Sequence, residues 1–233
     1  MQVRAIKTDV FEEGGSLEAF IAAHIRRLPE RSVLVVTSKI VALAEKRVVT
    51  ALTKAQRAAL IKRESASALK TRWVWLTIKD GMVVANAGID ESNADGKIIL
   101  LPKDSFAAAQ KLRNALKKRY KVKQLGVLIT DSRIFPLRAG VMGLAVGYAG
   151  FKGLRDYRGT KDIFGRTLKM TRTSVADGLA AAAVVLMGEG AERHPIALIK
   201  DAPVEFSERT DRKELLIPIK DDLYFPLFRN AGF

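Results

Sequence analysis

The chain has no cysteine and only two histidines among its 233 residues. Without thiols it forms neither disulfides nor a thiolate nucleophile, and a zinc site loses its usual ligands. A Ser-His or Cys-His nucleophile pair needs a positioned imidazole. His24 falls on the helical face of Leu17, Phe20, Ile21 and Leu28, which reads as structural, and His194 stands alone before Pro195. Aromatics are also scarce, at 7%, and sit mainly at core-like positions. No aromatic-rich strand is there to support nucleic-acid binding. Long apolar runs are missing too. The longest, such as LAAAAVVLM from Leu179 to Met187, fall far short of a membrane span. The amino-terminal MQVRAIKTDVFEEGG carries no apolar signal segment, so a cytoplasmic protein with no membrane role is expected.

What the chain has is positive charge: 40 Lys and Arg against 25 Asp and Glu, a net +15. Such a surplus suits nucleic acid, anionic lipid or phosphorylated small molecules. The basic residues are dispersed, and they are densest over Lys111–Lys123. That segment reads as a helix with Phe106, Ala109, Leu112 and Leu116 inward and its charges outward in water. A nucleic-acid-binding module built on this helix is the competing class, but no known motif supports it. With His and Cys excluded, any metal has to be held by oxygen, which favours Mg²⁺ or Mn²⁺.

Along the chain, Ser16 caps a helix running to about Arg27, and Ser32–Val36 is a short buried strand followed by TSK and IVALAEKRVV. Lys54–Lys70 is helical in pattern. Trp73–Ile78, Asp80-Gly81 and MVVANA form a hairpin signal that delivers the chain into NAGIDESN, Asn86–Asn93. Leu125–Thr130 is a second apolar strand, ending in TDS. Gly140 to Gly165 holds seven of the 17 glycines, matching no phosphate-loop pattern and suiting bends and close backbone approach. A helix spans Thr173 to Met187 with Gly188 as its C-cap, and Pro195–Ile199 is a last strand. Strands in hairpins and mixed order predict an α+β fold with mixed and antiparallel sheets and flanking helices. One domain is expected over 1–199, with room for two subdomains, followed by an irregular arm over 200–233.

Two apolar strands thus end at an aspartate with hydroxyl or amide groups, AGIDESN and LITDS, and Glu189 follows the long helix in MGEG. Two metal ions sharing carboxylates would need such oxygens from separate elements. Three independent turns would use the same residue types. Spacing alone leaves both readings open.

The combination VVTSKIVALAEKRVV, NAGIDESN, TDSRIFPLRAG, GLRDYRGTKDIFGR and VADGLAAAAVVLMGEG resembles the gamma-glutamyl ligase family of coenzyme F-420 biosynthesis, in collinear order from about Ser32 to Ile199. The resemblance implies an intertwined homodimer that adds L-glutamate to an anionic coenzyme acceptor such as F-420-0. It also implies GTP or ATP as co-substrate and two divalent ions, Mg²⁺ or Mn²⁺. By the same resemblance Asp90, Asp131, Ser132 and Glu189 are metal ligands. Ser38, Lys39, Asn93, Met187, Gly188 and Gly190 are nucleotide contacts. For the charge on a transferred phosphoryl group, Lys39, Arg138 and Arg155 are the candidate catalytic cations.

The chain departs from the family pattern in two places. Where TD[ST]xGRxxRxG is usual, Ile134 and Phe135 replace Gly-Arg; where SKIVSKAEGR is usual, Leu43 and Lys46 replace lysine and glycine. Bacterial relatives that add glutamate to folate resemble this variant more closely, so a tetrahydrofolate gamma-glutamyl ligase is the alternative expectation.

Overall fold

A computed structural model describes residues 1–50 and 52–230. Strand β1 (Gln2–Ile6) and helix α1 (Leu17–His24) precede β2 (Ser32–Thr37), which runs directly into α2 (Ser38–Ala44). A smaller unit follows: β3 (Val48–Val49), α3 (Lys54–Arg63), β4 (Ser67–Lys70), β5 (Trp75–Lys79), β6 (Met82–Ala85) and β7 (Ile98–Ile99). Next come α4 (Ser105–Tyr120), β8 (Leu125–Ile134), β9 (Val141–Ala149), β10 (Leu154–Asp156) and β11 (Arg172–Ser174). The last elements are α5 (Val175–Met187), β12 (Ile196–Lys200) and α6 (Phe225–Asn230).

The main sheet has the order β1-β12-β2-β8-β9, with β2 and β8 parallel and every other pairing antiparallel. Helices cover both faces, which is why β2 and β8 are unbroken apolar runs rather than alternating ones. Leu34, Val36, Val127 and Ile129 meet Ile21 of α1, Ile40 of α2 and Leu116 of α4 on one face. Val33, Val35 and Leu128 meet Ala176, Leu179 and Ala183 of α5 on the other. Burying each such aliphatic side chain contributes about 1.5–3 kcal/mol. The fold is α+β with mixed and antiparallel sheets, as the element order predicts.

The glycine-rich segment serves close approach. Pairing of β8 with β9 shifts by one residue between Ile129 and Thr130, so Gly147 opposes Ile129 while Ala145 opposes Thr130. Because side chains alternate along a strand, this bulge reverses which face β9 presents beyond it. Gly143 therefore abuts α5, where a Cβ would meet the Ala180 carbonyl oxygen at 2.5 Å, and Gly147 abuts the start of α4, at 2.4 Å from Ser105.

Four local expectations are revised. The helix from Lys54 stops at Arg63, and Ser67–Lys70 forms β4 against β5 instead, since a hairpin gains stability from a third strand. The first helix ends at His24, with Ile25 already extended. Arg113 of α4 is buried rather than solvated. Strand β8 does not end at TDS; Asp131 and Ser132 lie within it. The segment beyond Lys200 is tied to the body by Glu208 and Glu214, and it ends in a 3-10 turn and α6. Residues 231–233 of the expected arm lie outside the described residues. Among the described residues no helix is long and apolar enough to cross a membrane.

Candidate active site

Because β2 and β8 are parallel, Thr37 and Thr130 stand side by side at the same end of the sheet. The next residues are Ser38, opening α2, and Asp131. Ser38 Oγ donates to Asp131 Oδ1 at 2.6 Å. Asp131 and Arg133 fall on the α2 face of β8, while Ser132 points to the α5 face. There it meets the loop after α5, and Ser132 Oγ donates to Glu189 Oε1 at 2.5 Å.

NAGIDESN reaches the same place from the smaller unit. Asn86, Ala87 and Gly88 all have positive φ, at 51°, 56° and 72°. Alanine rarely adopts this conformation. It is held here from both sides: Trp75 N–H donates to Asn86 Oδ1 at 2.9 Å, and Ala87 N–H to the fully buried Thr77 hydroxyl at 2.9 Å. The coil throws the chain back so that Asp90 bridges Ile99 of β7. The Asp90 carboxylate accepts from Ser92 N–H at 2.7 Å and pairs with Lys39 Nζ at 2.8 Å. Burial acts to raise its pKa, but the hydrogen bonds from Lys39 and Ser92 outweigh burial and leave it below the ordinary carboxylate value. Glu91 pairs with Arg57 outside this cluster at 2.8 Å.

The loop after α5 is shaped by Gly188, with φ of 78°. A Cβ there would meet the Glu192 carboxylate at 2.4 Å, and that carboxylate accepts from Gly190 N–H at 2.8 Å. Asn93 Nδ2 donates to the Gly190 carbonyl oxygen at 3.0 Å, joining the two loops.

These segments enclose a cavity of about 1150 Å³. Ser38, Lys39, Asp90, Asn93, Asp131, Ser132, Met187, Gly188, Glu189 and Gly190 all line it. Arg138 and Arg155 do not. Arg138 is exposed in the turn after β8, and Arg155 lines a separate hollow of about 410 Å³ where its guanidinium donates to the Pro203 carbonyl oxygen. The cavity is also lined by polar residues to which the motif reading gave no role, among them Arg133, Glu192 and His194, whose Nδ1 is buried and has no partner among the described residues. The strand period would have flagged Arg133, since residues two apart share a face.

The donors facing the cavity are carboxylates and hydroxyls, a chemistry suited to a hard divalent ion. As the side chains lie, the three carboxylates of the family motifs are already engaged: Asp90 by Lys39, Asp131 by Ser38 and Arg133, Glu189 by Ser132. Among the described residues, no three acidic or imidazole groups stand close enough to hold one ion. A metal would be received by exchange, displacing Lys39 and Arg133 from their carboxylates.

The sequence profile of the F420-0:Gamma-glutamyl ligase family matches residues 5–201. The chain is 43% identical over 146 residues to the coenzyme F420:L-glutamate ligase of Methanococcus maripaludis strain C6, a match covering 63% of this chain and 58% of that relative. It is 33% identical to the ligase of that name from Archaeoglobus fulgidus over 209 residues, 82% of this chain and 83% of the relative. With the Methanosarcina mazei ligase the identity is 31%, covering 93% and 92% of the two chains. The matched part of the chain thus spans less than two thirds of the Methanococcus relative, and nearly all of the Methanosarcina one. The chain belongs to the F420-0:gamma-glutamyl ligase family.

Proposed function

We propose that the protein is a ligase joining the amine of L-glutamate to a carboxylate of an anionic coenzyme acceptor, with GTP or ATP as co-substrate. The observation that carries this reading is the convergence of ten family-pattern residues, from four distant segments, on one cavity. In the reaction an oxygen of the acceptor carboxylate attacks the γ-phosphorus and the bond to the nucleoside diphosphate breaks, leaving an acyl phosphate. The glutamate amine then attacks the acyl carbon; the C–N bond forms, phosphate leaves, and the amine gives up its proton. No protein nucleophile is needed, so the absence of cysteine and of a Ser-His pair costs the mechanism nothing.

Two Mg²⁺ or Mn²⁺ ions, held by Asp90 on one side and by Asp131, Ser132 and Glu189 on the other, would neutralise charge building on the transferred phosphoryl group. Lys39, once exchanged off Asp90, brings its ammonium to the phosphates. Asn93 holds the nucleotide edge of the cavity against the Met187–Gly190 loop. The net charge of +15 draws in three anionic substrates.

The deciding experiment incubates the protein with L-glutamate, each nucleotide and either F-420-0 or tetrahydrofolate, and weighs the products. A gain of one glutamyl unit on F-420-0 is expected. Extension of tetrahydrofolate instead assigns the alternative acceptor, which the Ile134-Phe135 departure favours, and extension of neither overturns the ligase reading. A homodimer is part of the same proposal. Ile163, Phe164 and Met170, at 92%, 89% and 87% exposed in the β10–β11 connection, supply apolar surface for a second copy. Light scattering that finds a monomer would refute it.

A further inference from the structure

Arg133 lies on β8 two residues beyond Asp131 and lines the cavity, yet its side chain is only 3% exposed. Its Nη1 donates to the Asp131 carboxylate and to the Ser132 carbonyl oxygen. Its Nε and Nη2 are buried and donate to nothing among the described residues. Those two atoms form one edge of the guanidinium, with parallel N–H vectors spaced to match two oxygens of a carboxylate or phosphoryl group. Buried polar groups in native proteins are almost always paired, and an orphaned edge beside a cavity calls for a partner. Burial pulls the Arg133 pKa down to about 10, against the nearby charge of Asp80, so it remains a cation at neutral pH. Lys39, by contrast, has its ammonium committed to Asp90 and to both Ser92 oxygens.

We propose that Arg133 is an oxyanion-binding residue of this cavity, its Nε/Nη2 edge taking a phosphoryl or carboxylate group of a bound substrate. The naming of those substrates rests on the ligase reading: the nucleotide supplies the phosphoryl oxygens and L-glutamate the carboxylate. The edge is covered, so a ligand reaches it when the guanidinium turns off Asp131. That turn frees the Asp131 carboxylate at the moment a substrate arrives, coupling oxyanion capture to the exchange described above.

The test compares wild type with R133K, both as the full chain. Each is titrated calorimetrically with L-glutamate and, separately, with GTP and with ATP in the presence of Mg²⁺. Lysine retains a cation for Asp131 but lacks the side-on fork, so it separates a counter-ion from an oxyanion receptor. The expected result is a folded R133K, judged by thermal melting, that binds one ligand class at least tenfold more weakly and the other as wild type does. The arm that weakens says whether phosphoryl or carboxylate is the partner. Unchanged affinity in every arm overturns the proposal. So does an R133K that fails to fold, because the protein itself would then be using that edge.

The ligase reading is judged separately by the acceptor panel. Arg133-dependent binding without extension of any acceptor removes that reading and leaves Arg133 standing. Extension by wild type with unchanged KM values in R133K does the reverse, and a wild type that binds none of the ligands overturns both.

Discussion

Among the described residues of this basic chain two arginines are buried, Arg113 and Arg133, and they are buried differently. Arg113 of α4, 1% exposed, uses all three nitrogens: Nε donates to the Leu125 carbonyl oxygen at 2.7 Å, and Nη1 and Nη2 grip the Glu208 carboxylate at 2.9 and 2.8 Å. Arg133 of β8, 3% exposed, uses one. A buried cation is tolerated when it is paired and its donors are filled. Arg113 meets that condition and braces the segment beyond Lys200 against the body. Arg133 meets half of it, at the wall of a cavity. Burial alone therefore does not separate a brace from a ligand-handling group; the count of filled donors does.

The most damaging way to probe the cavity side of this comparison is D131A. It removes the carboxylate that Ser38 and Arg133 hold, and with it a proposed metal ligand. Nucleotide- and glutamate-dependent phosphate release should fall by about 100- to 1000-fold, the usual scale for losing a transition-state charge stabiliser. Unchanged turnover would sink the metal assignment. On the other side of the comparison, R113M should cost about 2–4 kcal/mol of stability, because the Leu125 carbonyl loses its donor and Glu208 its grip. Urea melts would register the loss, while KM for each substrate stays at the wild-type value. A shift in KM for R113M would mean that the brace also reaches the site.

The two arginines also mark where sequence reading succeeds and fails. Covalently local features came through: the Asp80-Gly81 turn has positive φ at both residues, 51° and 76°, as a two-residue hairpin demands. The oxygen-bearing segments stand out because their motifs are contiguous, and the ten residues named in them line one cavity. Properties that arise only from packing were not. Arg113 sits in KLRNALKKRYKVK among charges that do stay in water, and nothing local distinguishes it. Its partner Glu208 is 95 residues away along the chain. The β9 bulge hid which glycine met which helix. Ser67–Lys70 continued a helical composition and became a strand because a hairpin edge needed covering. Arg138 and Arg155 are candidates by their charge alone, and in the fold neither lines the cavity of its own chain.

A smaller effect should come from S38A. Ser38 is 4% exposed, and its hydroxyl is the neutral donor to Asp131. Removing it leaves Arg133 as the remaining side-chain partner of that carboxylate. A net hydrogen bond of about 1 kcal/mol corresponds to roughly a fivefold loss in kcat/KM. A decrease as deep as that of D131A would show that Ser38 touches substrate or metal directly.

The smallest effect belongs to the brace, and it is read in acid. Hydrogen bonds from Arg113 and then Lys117 hold the Glu208 pKa down to about 2, against a slight opposing push from burial. A carboxyl whose folded pKa is depressed contributes its full share of stability above its unfolded value, here 4.5, and loses it as pH falls toward about 2. Glu208 is 69% exposed, so solvent screening keeps that share below about 1 kcal/mol. Melting curves of wild type and E208Q should accordingly differ by a constant small amount from pH 7 down to about 5. The gap should narrow below 4.5 and close near 2. A gap that persisted unchanged into acid would mean that Glu208 holds Arg113 by shape and hydrogen bonding rather than by charge. The fully paired arginine would then owe its stability to the same filled donors that Arg133 lacks.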